Sequence, residues 1–271
     1  RRAGIWDMVC GQGGAVPQEA VRTFELNGGR AQPRGEDSDM GAASRTLPQG
    51  AYTTLRTYGG RRVLRLDRHF RRLEESVALL GPSGTIDDSA ARLAIAAALA
   101  ACGHPESRVR LTFAPPRLFA SVQAFAPLPA TAYADGVRCV SVPVRREQHH
   151  AKDTRFIAVA GEAYRALPAG VNEGLIVAED GSLLEGLSSN FFAILGGRLH
   201  TERQRALLGV TRRLVLEVAA AVLPVEETAV FAADLPSVRE CFITSVSREV
   251  LPVVRIASKA RDGNRLVRVE R

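Results

Sequence analysis

Leu184-Glu185-Gly186-Leu187-Ser188-Ser189-Asn190-Phe191-Phe192 is the stretch on which the reading of this chain turns. Leu183 to Glu185 reads as a short strand that ends on an acid, and a polar, Gly-containing loop separates it from a second strand over Phe191 to Leu195. Further short strands surround the pair: Val137 to Pro143, Glu173 to Ala178, Arg198 to Thr201 and Glu240 to Ser245, with a helix over Thr211 to Val222. Strands joined by loops, with few helices between them, are the pattern of an α+β domain.

Upstream the text has a different rhythm. Thr23 to Leu26 is a strand ending at Asn27-Gly28-Gly29, a hairpin signal, and a polar loop runs from there to about Arg45. Ala51 to Tyr58 and Arg62 to Leu66 flank Gly59-Gly60 as a second hairpin. Asp67 is placed to cap a helix through His69, Leu73 and Val77 that stops at Gly81, and Asp87 or Asp88 opens an Ala-rich helix closed by Gly103. Strands follow over Val109 to Phe113 and Leu118 to Phe125, on either side of Pro115-Pro116. The organisation expected is therefore α+β in two domains: an extension over 1–20, a smaller domain over 21–128, a linker over 129–134 and a larger domain over 135–271, with a ligand in the cleft.

Composition narrows the class of function. With 46% hydrophobic and 24% charged residues in 271, the chain has the make-up of a globular protein. Apolar runs such as Leu93 to Cys102 are too short to span a bilayer, so neither a membrane nor a leader is expected and the cytoplasm is the expected compartment. Cys10, Cys102, Cys139 and Cys241 are scattered without paired spacing, which predicts free thiols and no metal site. The net charge of +7 comes from arginines spread along the chain, and no nucleic-acid-binding motif accompanies them.

Lys152, in His149-His150-Ala151-Lys152-Asp153-Thr154-Arg155-Phe156, would on its own be a surface charge. Its company changes that reading. Leu66-Asp67-Arg68-His69-Phe70-Arg71-Arg72-Leu73 precedes it, and after the Glu185 segment come Leu208-Gly209-Val210-Thr211-Arg212 and Phe242-Ile243-Thr244-Ser245-Val246-Ser247-Arg248-Glu249-Val250-Leu251-Pro252-Val253. As an ordered set these segments resemble the class IV (fold-type IV) aminotransferases, pyridoxal 5'-phosphate (PLP) enzymes that include branched-chain and D-amino-acid aminotransferases and aminodeoxychorismate lyase.

The resemblance implies roles that the chemistry supports. Lys152 would form an exchangeable imine with the cofactor aldehyde and then move the substrate Cα proton. Glu185 would face the protonated pyridine nitrogen and keep the ring an electron sink. Arg72, three positions after His69 as in the family, would grip the phosphate, with Arg68 and Arg71 as neighbours and His69 structural. Gly209, Val210 and Thr211 would offer the phosphate a helix N-terminus. Val246 and Ser247 would form a second phosphate-facing turn. Many relatives have threonine where Val246 stands, so a hydroxyl there must come from Ser245 or Ser247. Arg155 stands near the position of a tyrosine that meets the cofactor 3'-oxygen in branched-chain enzymes, and is expected to replace it.

The substrate side is expected at Tyr52, Thr54 and Arg110. Tyr52-Thr53-Thr54-Leu55-Arg56-Thr57-Tyr58 resembles the lyases, whereas Ser188-Ser189-Asn190-Phe191-Phe192 and the final Ser247 to Val253 run resemble the aminotransferases. The resemblance thus implies amino transfer between an amino acid and a 2-oxo acid in a homodimer. Release of pyruvate and 4-aminobenzoate is the alternative within the family, and an inactive binding protein of the same fold is the alternative outside enzymology.

Overall fold

Asn27-Gly28-Gly29 makes the reversal that its residues predict. Gly28 and Gly29 adopt φ of 53° and 77°, a left-handed pair that suits glycine, and they join β1 (Val21–Asn27) to β2 (Arg30–Asp37) with Asn27 opposite Arg30. In the computed structural model, residues 20–260 and 263–268 are described. They divide into two units, one running to Pro127 and including His150–Ala158, the other formed by Leu128–His149 and the chain from Val159 onward.

In the first unit β3 (Ala51–Tyr58), β4 (Arg62–Val63), β5 (Ser107–Ala114) and β6 (Arg117–Ala124) complete an antiparallel sheet of order β2-β1-β6-β5-β3-β4. Two helices supply the rest of its core. In α2 (Leu66–Leu79), Phe70, Leu73 and Val77 recur at helical spacing, and α3 (Asp88–Cys102) offers Ala91, Ala94, Ile95 and Ala98. These pack with Phe24, Leu55, Val109 and Leu111 from the strands. As expected, α3 is capped by Asp87, whose carboxylate accepts from Ala90 N at 3.0 Å, and closes at Gly103 with φ 70°. α2 starts two residues earlier than expected. Arg65, at φ 52°, is its N-cap and pairs with Asp67 in the first turn at 3.0 Å.

Two segments depart from the sequence reading. Where a polar loop to Arg45 is expected, β2 and a short helix α1 (Met40–Arg45) form. β2 carries few apolar residues and lies at the sheet edge, so pairing with β1 rather than its own pattern makes it a strand. Asp39 caps α1 by accepting from Gly41 N and Ala42 N. Likewise Ala130–Asp135, which covers most of the expected linker and one residue beyond, forms helix α4, with Pro129 ahead of it and Gly136 after.

The second unit contains β7 (Val137–Val142), β8 (Glu173–Val177), β9 (Leu183–Gly186), β10 (Asn190–Leu195), β13 (Glu240–Ser245) and β14 (Glu249–Ala260). Pairing runs β10-β13-β14-β7-β8-β9 and returns from β9 to β10, so these strands close into a barrel. Closure leaves no free edge among them. β11 (Arg198–His200) and β12 (Val225–Glu226) extend one side, and β15 (Gly263–Arg268) pairs with β14. Leu175, Phe191, Ile243, Leu251 and Ile256 lie in its core. Helices α5 (Arg155–Arg165) and α6 (Val210–Ala219) complete the elements used below.

No helix among the described residues is long and apolar enough to cross a membrane. Cys102, Cys139 and Cys241 are free thiols, and no group of His, Cys, Asp and Glu among the described residues could hold a metal ion.

Candidate active site

Lys152 sits on a strap that is hydrogen-bonded to its own unit on both sides. Its carbonyl accepts from Tyr52 N at 2.8 Å and its N-H donates to Ser76 Oγ at 3.1 Å. Thr154 N donates to Gly50 O at 2.9 Å, and Thr154 Oγ1 accepts from Gly50 N at 3.0 Å. Main-chain bonds thus fix a lysine that the sequence places in a loop. Its ammonium nitrogen lies 4.6 Å from the centroid of the Tyr52 ring, and the Arg110 guanidinium lies 5.1 Å from the same centroid. The ring's negative face is the natural neighbour of such cations.

Successive residues of β3 face opposite sides of the sheet, so Thr53 points away from Tyr52 and Thr54. It meets α2. Arg72 Nη2 donates to Thr53 Oγ1, which lies 2.7 Å from His69 Nδ1, and all three residues are buried. A hydroxyl that accepts from Arg72 still has its own proton to donate to Nδ1 when the imidazole proton is on Nε2. Burial, then the Arg72 charge, then the Lys152 charge hold the His69 pKa well below the ordinary histidine value. His69 is therefore a neutral support for Arg72.

Thr54 is half-buried and stands opposite Arg110 in the β3–β5 register. Arg110 is buried, and its Nη1 donates to Met40 O at 2.9 Å and to Ser44 Oγ at 2.6 Å, which fastens α1 to the sheet. Arg155 opens α5 with an exposed side chain and pairs with Asp153 at 2.6 Å.

The barrel unit carries Glu185. The residue is 3% exposed and both carboxylate oxygens are engaged: Oε1 accepts from Arg146 Nε at 2.8 Å, and Oε2 from Leu207 N at 3.1 Å and Asn190 Nδ2 at 3.5 Å. Asn190 Nδ2 also donates to Leu207 O at 2.6 Å. The acid and the amide, on consecutive strands, therefore hold one residue, Leu207, through its N-H and its carbonyl. Two residues later Gly209 caps α6, whose N-terminus has no side-chain cap. Uncapped N-H groups at a helix start present partial positive charge. Gly209 is required by close approach, since a Cβ there would lie 2.3 Å from Asn190 Oδ1. Val210 is buried and Thr211 half-buried in the first turn.

Val246 and Ser247 lie in the turn between β13 and β14, ahead of Glu249 with φ 55°. The Ser245 hydroxyl, one of the two open alternatives there, accepts from Arg248 N at 3.2 Å and Arg248 Nε at 3.4 Å.

Sequence reasoning missed Arg146, Asn190, Thr53 and the ion pair between Arg248 and Glu173. Each acts on a neighbour through a contact that exists only after folding. The one signal available was proximity to a motif: Asn190 lies inside the Glu185 segment and Arg248 inside the last one.

Taken unit by unit, these residues suit a group with an anionic end. An acceptor-only carboxylate, tied to the peptide just before an uncapped helix, fits a ring N-H and a phosphate. A lysine near a buried, oriented arginine fits an aldehyde and a phosphate.

Comparison with known proteins agrees with that chemistry. Residues 50–256 match the family model described as Amino-transferase class IV. A Methanocaldococcus jannaschii protein that carries a branched-chain-amino-acid aminotransferase name is 30% identical over 138 residues, 48% of this chain and 48% of that protein. The chain thus spans 48% and 32% of the lengths of two curated relatives it matches. Among solved structures, branched-chain aminotransferase from Thermoproteus uzoniensis with norvaline superposes with a TM-score of 0.72 at 21% identity, covering 93% of this chain and 90% of that one. The 4-amino-4-deoxychorismate lyase of Pseudomonas aeruginosa gives a TM-score of 0.67 at 27% identity, covering 89% and 92%.

Proposed function

The chain belongs to the class IV aminotransferases, a family of PLP enzymes, and from that premise we propose that it transfers an amino group between an amino acid and a 2-oxo acid, with Lys152 as the catalytic residue. When bound, PLP supplies an aldehyde to accept the amino group and a pyridine ring to take up electrons. Lys152 Nζ would hold the cofactor at its aldehyde and, once free as an amine, would move a proton at the substrate Cα. Glu185 would face the ring nitrogen, and Arg146 with the Leu207 N-H aims its carboxylate. For a phosphate, Arg72, held by Thr53, is the candidate on the first unit; on the barrel unit the candidates are the start of α6 at Gly209, Val210 and Thr211, the Thr211 hydroxyl, and the Val246–Ser247 turn.

Tyr52 and Thr54 line the substrate side. Arg110, over the Tyr52 ring, belongs to the same substrate side, and Arg155 would serve the cofactor 3'-oxygen by leaving Asp153. The protein works as a homodimer in the cytoplasm. The observation that carries this reading is the Glu185–Leu207 hydrogen bond of 3.1 Å, because it fastens the acid to the peptide that leads into the phosphate-binding helix.

Absorbance spectroscopy of purified protein with PLP tests the proposal. A visible band that borohydride fixes onto Lys152, that is absent in Lys152→Ala, and that one amino acid converts to the pyridoxamine form is the expected result. No band with added PLP would sink it. The 27% identity to a lyase over most of both chains favours one second reading, elimination of pyruvate. Pyruvate formed with no 2-oxo acid acceptor would select it.

A further inference from the structure

Glu173 begins β8 with no solvent exposure, and both of its carboxylate oxygens are fully engaged. Oε1 accepts from Tyr164 OH at 2.6 Å and from Gly174 N at 3.0 Å, while Oε2 accepts from Ser189 Oγ at 2.8 Å and Arg248 Nη2 at 2.6 Å. The same arginine nitrogen reaches Ser188 Oγ at 2.7 Å. Burial works against the Arg248 charge, but Glu173 and then Tyr164 more than offset it and hold the guanidinium protonated.

Two backbone segments hang on this pair. The loop from Gly186 to Ser189, which joins Glu185 to Asn190, closes on itself through Gly186 N to Ser189 O at 2.8 Å and lies against the acid. A Cβ on Gly186 would come within 2.2 Å of Ser189 Oγ and 3.0 Å of Glu173 Cδ. The second segment is the Ser245–Arg248 turn, closed by Arg248 N and Nε on Ser245 Oγ. A buried ion pair adds little net stability over an apolar pair of the same volume. What it supplies here is a fixed geometry for two segments that the sheet alone does not set.

We propose that Glu173 and Arg248 are positioning residues: their ion pair sets the backbone of the Val246–Ser247 turn to receive the cofactor phosphate, from the same anchor that holds the loop between Glu185 and Asn190. This rests on the reading of that turn given above. The pair acts on the phosphate end, so its loss separates affinity for PLP from affinity for pyridoxal, which has the same ring and aldehyde and no phosphate.

The test is the double variant Glu173→Gln/Arg248→Met, in which no charge is left buried alone and the glutamine still bonds Tyr164 and Ser189. Dissociation constants for PLP and pyridoxal are measured by absorbance, alongside thermal unfolding of the wild type and variant. The expected result is a PLP affinity about tenfold weaker, the scale usual when a group that orients a ligand contact is lost, with pyridoxal affinity retained. Should the double variant fail to fold, Arg248→Lys keeps the charge, loses the planar fork and carries the same comparison. Equal losses for both ligands, or no loss, would overturn the positioning role alone when the wild type binds PLP. A wild type that binds no PLP overturns this inference together with the proposed function.

Discussion

Asn190 donates from Nδ2 to the Leu207 carbonyl at 2.6 Å while its Oδ1 stands 2.3 Å from where a Cβ of Gly209 would be. One side chain thus both holds the peptide before α6 and forbids a side chain at its cap. Gly209→Ala is expected to weaken PLP binding and to destabilise the fold, because the clash forces Asn190 off Leu207. Loss of a buried hydrogen bond is worth about 1–3 kcal/mol. The double variant with Asn190→Ala should show a smaller penalty than the two single changes added together. Urea unfolding of the four proteins measures the coupling, and strict additivity would remove the link.

Thr53→Val keeps the volume at a fully buried site and removes the hydroxyl shared by Arg72 and His69. A stability loss of about 1–3 kcal/mol is expected from the buried groups that lose it. PLP affinity should fall with it, because Arg72 loses its orientation. Thr53→Ser, which keeps the hydroxyl, should recover most of the affinity. If Val and Ser behave alike in a PLP titration, Thr53 serves packing only.

Arg146 and Glu185 form an ion pair with side chains only 5% and 3% exposed. Arg146→Met leaves the acid buried without its cation, a change worth about 3–5 kcal/mol where a buried pair is broken. Glu185→Gln in the same background removes the stranded charge, so the double variant should be more stable than Arg146→Met alone. It should also fail to retain the proton on the cofactor nitrogen, read as lost amino-acid half-reaction with the visible band still present. Chemical denaturation checks the first expectation and single-turnover absorbance the second.

Elements whose signals are local were legible before the structure. The Asn27-Gly28-Gly29 hairpin and the Asp87 to Gly103 helix have their own turn and cap residues, and they form where those residues say. β2 and the α5 helix were not legible. β2 exposes most of its side chains and exists through pairing with β1. α5 starts directly after the strap that carries Lys152, in a stretch where no element is expected from the sequence. For the site, Lys152 and Glu185 stood out only because several segments recur in a fixed order. Arg146, Thr53 and Glu173 did not, because a residue's burial and its partner across the sheet are products of folding that neighbouring sequence does not encode.

His69 gives the pH dependence its sign. Its folded pKa is depressed, by burial first and then by the Arg72 and Lys152 charges, below the unfolded value of 6.5. Between those two values the unfolded chain binds a proton that the folded chain refuses. The stabilisation is thus fully present above about pH 6.5 and is lost as pH falls toward the folded pKa, by up to about 1.4 kcal/mol per pH unit for one group. The groups facing it, Thr53, Arg72 and Lys152, carry no acid that could stabilise the imidazolium. His69→Gln can still accept from Thr53 and does not titrate. Urea unfolding at pH 5.5 and 7.5 should therefore show a larger loss on acidification for the wild type than for His69→Gln. Equal losses would mean that His69 is protonated in the folded protein, and the Thr53 hydroxyl could not then donate to Nδ1 and support Arg72 in the way described.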